Sequence, residues 1–283
     1  MIPPRRPNRL IVAIPDSVTV DTPHQREKTA KIGLVARAAA VFRASEILLY
    51  RENMDRDSKD SRLVSTLLDY VATPQYLRKP LFPLDKNLMF AGILPPLRTP
   101  NHPLERSSKN ISDGEIRDGY VLRSNSEFSL VEIGLDRMAK LDERVPVKTR
   151  VTVTLRRRGD ELRATRVSRG DIHVYWAFQT RTSRMLLGAT LEREQADLAI
   201  GTSRLGKPIE PSLESIRQRW NTARKIVLAF GPTTRGILEL LRAEGKNPGD
   251  VFDFLVNTIP NQGTETVRTE EALVATLAIL NLL

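Results

Sequence analysis

The run DFLVNTIPNQGTETVRTEEALVATLAILN, residues 253–281, sets a short apolar strand, a polar loop and a helix in immediate succession. Residues 253–257 read as the strand, and the loop behind it holds Gly263 among Asn, Gln and Thr side chains that offer donors and acceptors. Gly263 is expected to take backbone angles that a side chain would forbid. Thr269, followed by Glu270 and Glu271, is expected to cap the helix, with the two carboxylates at its positive end. Ala272, Leu273, Thr276, Leu277 and Leu280 then recur at helical spacing. Such a loop suits a small ligand, and it equally suits a surface connection before a terminal core helix. The pattern alone leaves both open.

Two upstream runs repeat the arrangement. Leu198-Ala199-Ile200 leads into Gly201-Thr202-Ser203-Arg204-Leu205-Gly206, and KIVLAF (225–230) leads into Gly231-Pro232-Thr233-Thr234-Arg235-Gly236 and a helix over 237–244. Three successive strands thus deliver glycine-bearing polar loops at their C-terminal ends, the edge where open α/β sheets bind ligands. Near the start, LIVAI (10–14), an alanine-rich helix over 29–43 and a strand over 46–50 make a strand–helix–strand unit. Their continuous apolar runs fit strands buried on both faces of a parallel sheet. A solvated loop over 51–62 leads to a helix over 59–71, and the proline-rich stretch 72–102 reads as too rigid for a helix or a central strand. Tyr76, Arg78 and Lys79 in that stretch read as RNA contacts or as proline-braced packing with a basic rim. A strand over 172–180 and helices over 187–197 and 212–222 complete the α/β part.

Between about residues 98 and 170 the hydrophobic period changes to two. Residues 120–122, 128–133, 151–155 and 162–164 read as strands, parted by turns at 124–126 and at Gly159-Asp160. Four or five short strands in about 70 residues suit a small closed all-β barrel. The expected organisation is therefore an α/β domain from 1–97 and 171–283, interrupted by a barrel over 98–170. Residues 150–169 hold seven arginines against two acids, and such barrels bind single-stranded nucleic acid. Arg150, Arg156, Arg157, Arg158, Arg163 and Arg166 are the candidate RNA contacts; a solubilising charged face is the competing reading.

The whole composition agrees with a nucleic-acid partner. The 283 residues carry a formal charge of +10, and 40% are hydrophobic, which fits a globular chain with a sizeable core. Arginine outnumbers lysine, which suits bidentate phosphate contacts and also thermostable ion pairs. The absence of cysteine excludes disulfides, a catalytic thiol and thiolate-bound metals. His24, His102 and His173 lack metal-ligand spacing, so no metal is expected. No apolar run reaches the ~18 residues of a membrane span and no leader pattern is seen, so a cytoplasmic protein is expected. Gly231 to Gly236 has P-loop spacing, but Ile237-Leu238 stand where Lys and Ser or Thr would be needed.

The three loops, GTSRLG, GPTTRG and NTIPNQGT, together with the helix start Arg268–Ala272 and KIGLVARAAAVF (31–42), resemble the SPOUT superfamily of RNA methyltransferases. The closest likeness is to its archaeal and eukaryotic branch with an inserted OB-type barrel, which acts on uridine N3. The resemblance implies a parallel-sheet domain with a deep trefoil knot that cradles S-adenosylmethionine, an exception to the general rule against knots. It assigns cofactor contacts to Thr202, Ser203, Arg204 and Gly206 in the first loop and to Phe230, Gly231, Pro232 and Gly236 in the second. In the third loop it assigns Asn257, Thr258, Ile259, Pro260, Gln262, Gly263, Thr264, Thr266 and Val267. The catalytic candidates are Arg37 facing the base, Arg268 from either subunit of a homodimer, and Glu265 as proton acceptor. Lys31 stands where the family motif has Asn. On the residues alone, Arg37 also reads as a surface arginine, Arg268 as an ion-pair partner of Glu271, and Glu265 as a solvated loop carboxylate. The implied substrate is ribosomal RNA or tRNA, ribosomal RNA foremost. The competing reading is a non-catalytic RNA-binding or ribosome-assembly protein on the same scaffold.

Overall fold

The computed structural model describes residues 3–54, 59–159 and 161–283, with Lys59 described by its backbone only. Its elements in chain order are β1 (Arg9–Pro15), α1 (Gln25–Val41), β2 (Glu46–Arg51), α2 (Lys59–Ala72), α3 (Gln75–Leu81), β3 (Ile116–Ser124), β4 (Ser129–Glu132), β5 (Ala139–Leu141), β6 (Arg150–Arg158) and β7 (Glu161–Arg166). They continue with β8 (Gln179–Leu186), α4 (Leu187–Glu194), β9 (Leu198–Pro208), α5 (Leu213–Thr222), β10 (Lys225–Phe230), α6 (Ile237–Ala243), α7 (Pro248–Val251), β11 (Phe254–Asn257) and α8 (Thr269–Leu280). Arg6–Val71, Asn87–Pro95 and Phe178–Leu283 form one compact unit, and Met1–Arg5, Ala72–Lys86 and Pro96–Ala177 form the other.

In the larger unit six strands pair in the order β11-β9-β10-β1-β2-β8, every pair parallel. Leu10 to Ile14 and Ile226 to Phe230 are fully buried, which is why these strands read as unbroken apolar runs. Tyr50 is buried as well, and its hydroxyl donates to the Phe230 carbonyl at 2.7 Å, so no polar atom is left without a partner there. Helices α1 and α8 pack together, and Leu273, Leu277 and Leu280 supply the buried stripe of α8. The register of β9 against β11 jumps: Gly201 pairs with Leu255, but Lys207 pairs with the next residue, Val256. Residues 202–206 therefore leave the ladder as an excursion, and a Cβ on Gly206 would fall 2.6 Å from the Val256 carbonyl carbon. Only glycine permits that close passage.

In the smaller unit β3-β4-β5-β7-β6 close into a five-stranded barrel, sealed by β3 pairing with β6, as expected of an OB-like insert. Val121, Val131, Leu141, Val153, Leu155 and Leu162 fill it. Asp118 on β3 is fully buried and accepts from Arg150 at 2.7 Å, from the Thr152 hydroxyl at 2.9 Å and from Trp176 Nε1 at 2.9 Å. Burial alone would raise its pKa; the charges of Arg150 and Arg169 and these hydrogen bonds outweigh it and hold the carboxyl below its ordinary 3.8.

Several local readings change. The proline-rich stretch does contain a helix, α3, because Pro74 precedes the first turn and Pro80 removes a single hydrogen bond near the end. Within it Tyr76 packs on Gly134 and donates to the Asp118 carbonyl at 2.8 Å, so packing accounts for it; burial raises its pKa far above the ordinary tyrosine value. The strand expected over 172–180 begins only at Gln179, since Ala177 sits at a φ of 59° and Trp176 is held by Asp118. Helix α4 ends at Glu194, where Gln195 turns left-handed, and α7 and β5 are short elements that periodicity did not show. Gly159 takes a left-handed turn conformation with a φ of 61°, while Asp160, the other half of the expected turn, and part of the expected loop over 51–62 lie outside the described residues.

Candidate functional site

The middle of β9, where residues 202–204 leave the β11 ladder, and the C-terminal ends of β10 and β11 open on one cavity of about 300 Å³. Thr202, Ser203 and Arg204 line it from the first loop, and Phe230, Gly231, Pro232 and Gly236 from the second. Asn257, Thr258, Ile259, Gln262, Thr266 and Val267 line it from the third, together with Glu265. Of the residues the sequence assigned to a cofactor, Gly206, Pro260, Gly263 and Thr264 do not line it. Gly206 instead serves the strand crossing, and Gly263 does not take the left-handed backbone expected of it: Asn261 does, with a φ of 56°.

The loops brace one another mainly through side chains that bond to main chain. Asn257 Nδ2 donates to the Arg204 carbonyl at 3.2 Å, while its Oδ1 accepts from the Ile259 N–H at 2.9 Å. Arg204 reaches the Glu265 carbonyl at 2.9 Å, and Gln262 donates to the Thr264 and Glu265 carbonyls at 2.8 and 3.1 Å. Thr202 donates to the Ala229 carbonyl at 3.1 Å. Thr269 is the first residue of α8 and does not cap it. Its hydroxyl donates to the Gly231 carbonyl at 3.2 Å, and the exposed N–H of Arg268 is satisfied by Glu271 Oε2 at 2.9 Å. Arg268 thus occupies the capping position, and the expected Glu271 contact reaches its backbone.

A second support reaches the cavity from α1. Lys31, 5% exposed, sets its ammonium 2.7 Å from Asp21 and 3.4 Å from Glu270, the second residue of α8. Asp21 in turn accepts from the hydroxyl of Thr233, a residue of the cavity wall, at 3.2 Å. Burial opposes ionisation of Asp21, but the hydrogen bond and charge of Lys31, with the Thr22 and Thr233 hydroxyls, lower its pKa. Where the family motif has Asn, this chain therefore builds an ion-paired brace. Arg37 lies farther along α1, half-buried and off the cavity wall. Arg268 is exposed at the start of α8.

Sequence reading missed Thr233, Thr234, Arg235, Ile237, Glu239, Thr269 and Ala272 on the wall. Glu239 had a usable signal, since it falls in the first turn of the helix that Gly236 introduces. For the Lys31–Asp21–Thr233 chain no signal existed, because its members come from three separate segments.

On the barrel the arginines divide. Arg150 bonds Asp118 and the Thr73 hydroxyl, Arg157 bonds the Ser108 carbonyl, Arg163 pairs with Asp142 at 2.6 Å and Glu161 at 2.9 Å, and Arg166 lies 3.5 Å from Glu143. Among the described residues Arg156 and Arg158 have no side-chain partner and are exposed.

The larger unit is thus a parallel α/β sheet with a cavity of about 300 Å³ at its C-terminal edge, and the smaller unit is a basic five-stranded barrel. A family model described as "Putative RNA methyltransferase" matches residues 9–280. An uncharacterized protein of Halobacterium salinarum is 36% identical over 289 residues, spanning 96% of this chain and 98% of that one. The 28S rRNA (uridine-N(3))-methyltransferase of Mus musculus is 30% identical over 306 residues, spanning 97% of this chain and 76% of that one, and its Homo sapiens counterpart is 28% identical over 311 residues. The chain belongs to this RNA methyltransferase family; it is a transferase that acts on RNA and uses a methyl donor. Among the described residues no helix is long and apolar enough to cross a membrane, and no group of His, Asp or Glu is arranged to hold a metal.

Proposed function

We propose that the cavity binds S-adenosylmethionine and that the enzyme methylates N3 of a uridine in ribosomal RNA. The carrying observation is the convergence of three cross-braced loops on one cavity of about 300 Å³ at the C-terminal edge of a parallel sheet. The lining suits the cofactor: Phe230, Ile237, Val267 and Ala272 offer apolar surface, the loops offer main-chain polar groups, and a Cβ on Gly236 would meet nothing within 4 Å. We read the three loops as the segments of a SPOUT trefoil knot.

Bound S-adenosylmethionine supplies an electrophilic methyl group. The chain's own residues then position the base and handle its proton. As uridine N3 is deprotonated, negative charge develops on the ring, and the Arg37 guanidinium stabilises it. The Glu265 carboxylate, on the cavity wall, accepts the proton, and Arg268 at the start of α8 holds the base in place. The chain acts as a homodimer, with Leu34 and Val41 on α1 and Val274 and Leu282 on or beside α8 leaving apolar surface for a second copy.

Calorimetric titration with S-adenosylhomocysteine, paired with transfer of labelled methyl to ribosomal RNA, tests the reading. Binding abolished by widening the Gly231 loop, and label recovered as N3-methyluridine, are the expected results. No binding, or label on another atom, would overturn it. Light scattering that returns a mass near the 31.9 kDa of one chain at micromolar concentration would refute the dimer.

A further inference from the structure

We propose that Arg235 and Glu239 clamp the amino-acid end of the methyl donor, the guanidinium taking its α-carboxylate and the glutamate its α-ammonium. The proposal rests on the reading of the cavity as the S-adenosylmethionine site, and it names the side chains that tell this donor from other adenosine compounds.

The far end of the donor's methionyl chain is a zwitterion. A wall that reads it must present a cation and an anion that protein groups have not already engaged. Among the described residues four charged side chains line the cavity: Arg204, Arg235, Glu239 and Glu265. Arg204 is committed to the Glu265 carbonyl at 2.9 Å, and the Glu265 carboxylate is assigned to the base proton. Arg235, half-buried, and Glu239, exposed, have no side-chain partner among the described residues.

The local backbone explains why these two do not neutralise each other. A spacing of four residues favours an ion pair only when both members sit on one helix. Here Gly236 is extended, with a φ of −76° and a ψ of 161°, and α6 begins after it at Ile237. Arg235 therefore belongs to the loop, while Glu239 belongs to the first turn of α6. A Cβ on the intervening Gly236 would meet nothing within 4 Å, so open space adjoins the backbone between them. Opposite charges on one wall, kept apart and without protein partners, are the complement of a zwitterion.

The loop that carries Arg235 is set before any ligand arrives. Its Gly231 carbonyl accepts from Thr269 at 3.2 Å, and its Thr233 hydroxyl donates to Asp21 at 3.2 Å. Lys31, 2.7 Å from Asp21, holds that carboxylate in turn. A cation placed in advance loses less freedom on binding, and the planar fork of a guanidinium matches a carboxylate through two hydrogen bonds. With its proton committed to Asp21, the Thr233 hydroxyl can only accept from a ligand, which suits an ammonium.

The test is calorimetric titration of the full chain with three ligands. S-adenosylhomocysteine carries the whole zwitterion, decarboxylated S-adenosylmethionine lacks the carboxylate, and methylthioadenosine lacks the amino-acid end altogether. Wild type should bind S-adenosylhomocysteine at least about thirtyfold more tightly than methylthioadenosine. Arg235→Gln should weaken S-adenosylhomocysteine about ten- to thirtyfold and leave the other two ligands within about twofold. Glu239→Gln, at an exposed and more screened position, should weaken S-adenosylhomocysteine and the decarboxylated ligand about three- to tenfold and leave methylthioadenosine unchanged. Arg235→Lys keeps the charge without the fork and should recover part of the loss. Wild-type affinity for S-adenosylhomocysteine in both glutamine variants would overturn the clamp. So would an equal loss for methylthioadenosine, which marks a damaged loop rather than a lost contact. Wild type that binds none of the three overturns the reading of the cavity and the clamp with it, whereas wild type that binds S-adenosylhomocysteine beside inert variants overturns the clamp alone.

Discussion

Around the cavity, polar side chains bond mostly to main chain: Arg204 to the Glu265 carbonyl, Asn257 to the Arg204 carbonyl, Thr269 to the Gly231 carbonyl. In the barrel, charged side chains answer one another instead, with Arg150 on Asp118 and Arg163 on Asp142 and Glu161. The first arrangement fixes a shape, because a braced main chain presents its N–H and C=O groups in set directions whatever ligand arrives. The second fixes a distribution of charge, which register decides and which salt can rearrange. A shape should be sensitive to small steric changes, whereas a charge distribution should be sensitive to the loss of buried partners and tolerant at its exposed rim.

The largest expected effect lies in the barrel interior. Asp118→Ala leaves Arg150, the Trp176 N–H and the Thr152 hydroxyl without their shared acceptor and should cost about 3–5 kcal/mol, the range for breaking a buried pair from one side. Hydrogen exchange of the β3 and β6 amides measures it, with the β10 amides as the comparison. Because the folded pKa of Asp118 is depressed, its stabilisation is present above the ordinary 3.8 and is lost as pH falls through the lower folded value. Barrel protection that is unchanged in the variant, or that declines well above pH 3.8 through this group, would remove Asp118 from the interior's organising role.

Next comes the chemistry. Arg37→Ala should lower single-turnover methyl transfer by roughly a hundredfold or more, the loss typical of an electrostatic stabiliser of a transition state, with S-adenosylhomocysteine affinity retained. A rate within a few-fold of wild type would assign that task to Arg268. A smaller effect is expected from shape: Gly206→Ala pushes a methyl toward the Val256 carbonyl carbon, 2.6 Å from the ideal Cβ position, and should cost about 1–3 kcal/mol by overpacking. Because the strain sits in the excursion that carries Thr202 to Arg204, cofactor affinity should fall with stability, and calorimetry alongside thermal melting reads both.

The cavity was legible because local pattern specifies it. Strand, glycine and polar loop are neighbours in sequence, and KIVLAF coincides with β10 residue for residue. Gly206 and Gly263 look alike on paper, yet only Gly206 meets another backbone; that difference is tertiary and depends on where β11 passes. Tertiary packing also decided the stretch before β8, where Tyr175, Trp176 and Phe178 look like a strand and are buried as an irregular connection. On the barrel, counting arginines found the charge without its arrangement. Register pairs Lys140 with Arg163 and Arg163 with Arg156, whereas Arg150, counted with them, turns to Asp118.

Thr269 gives the finest test of the contrast, because two roles for one hydroxyl make opposite claims. As a cap it would stabilise α8, and its loss would cost about 1 kcal/mol of helix stability with little effect on the cavity. In the structure Arg268 holds the capping position, and the Thr269 hydroxyl donates to the Gly231 carbonyl, joining α8 to the second loop. A single neutral hydrogen bond of this kind contributes about 0.5–1.5 kcal/mol, so Thr269→Val should weaken S-adenosylhomocysteine binding by roughly two- to tenfold. Thr269→Ser keeps the donor and should restore affinity. Hydrogen exchange of the first-turn amides of α8 separates the roles: protection should be nearly unchanged in the valine variant while calorimetry registers the loss. Loss of first-turn protection with unaltered affinity would return Thr269 to the cap and leave the Gly231 loop braced by Lys31, Asp21 and Thr233 alone.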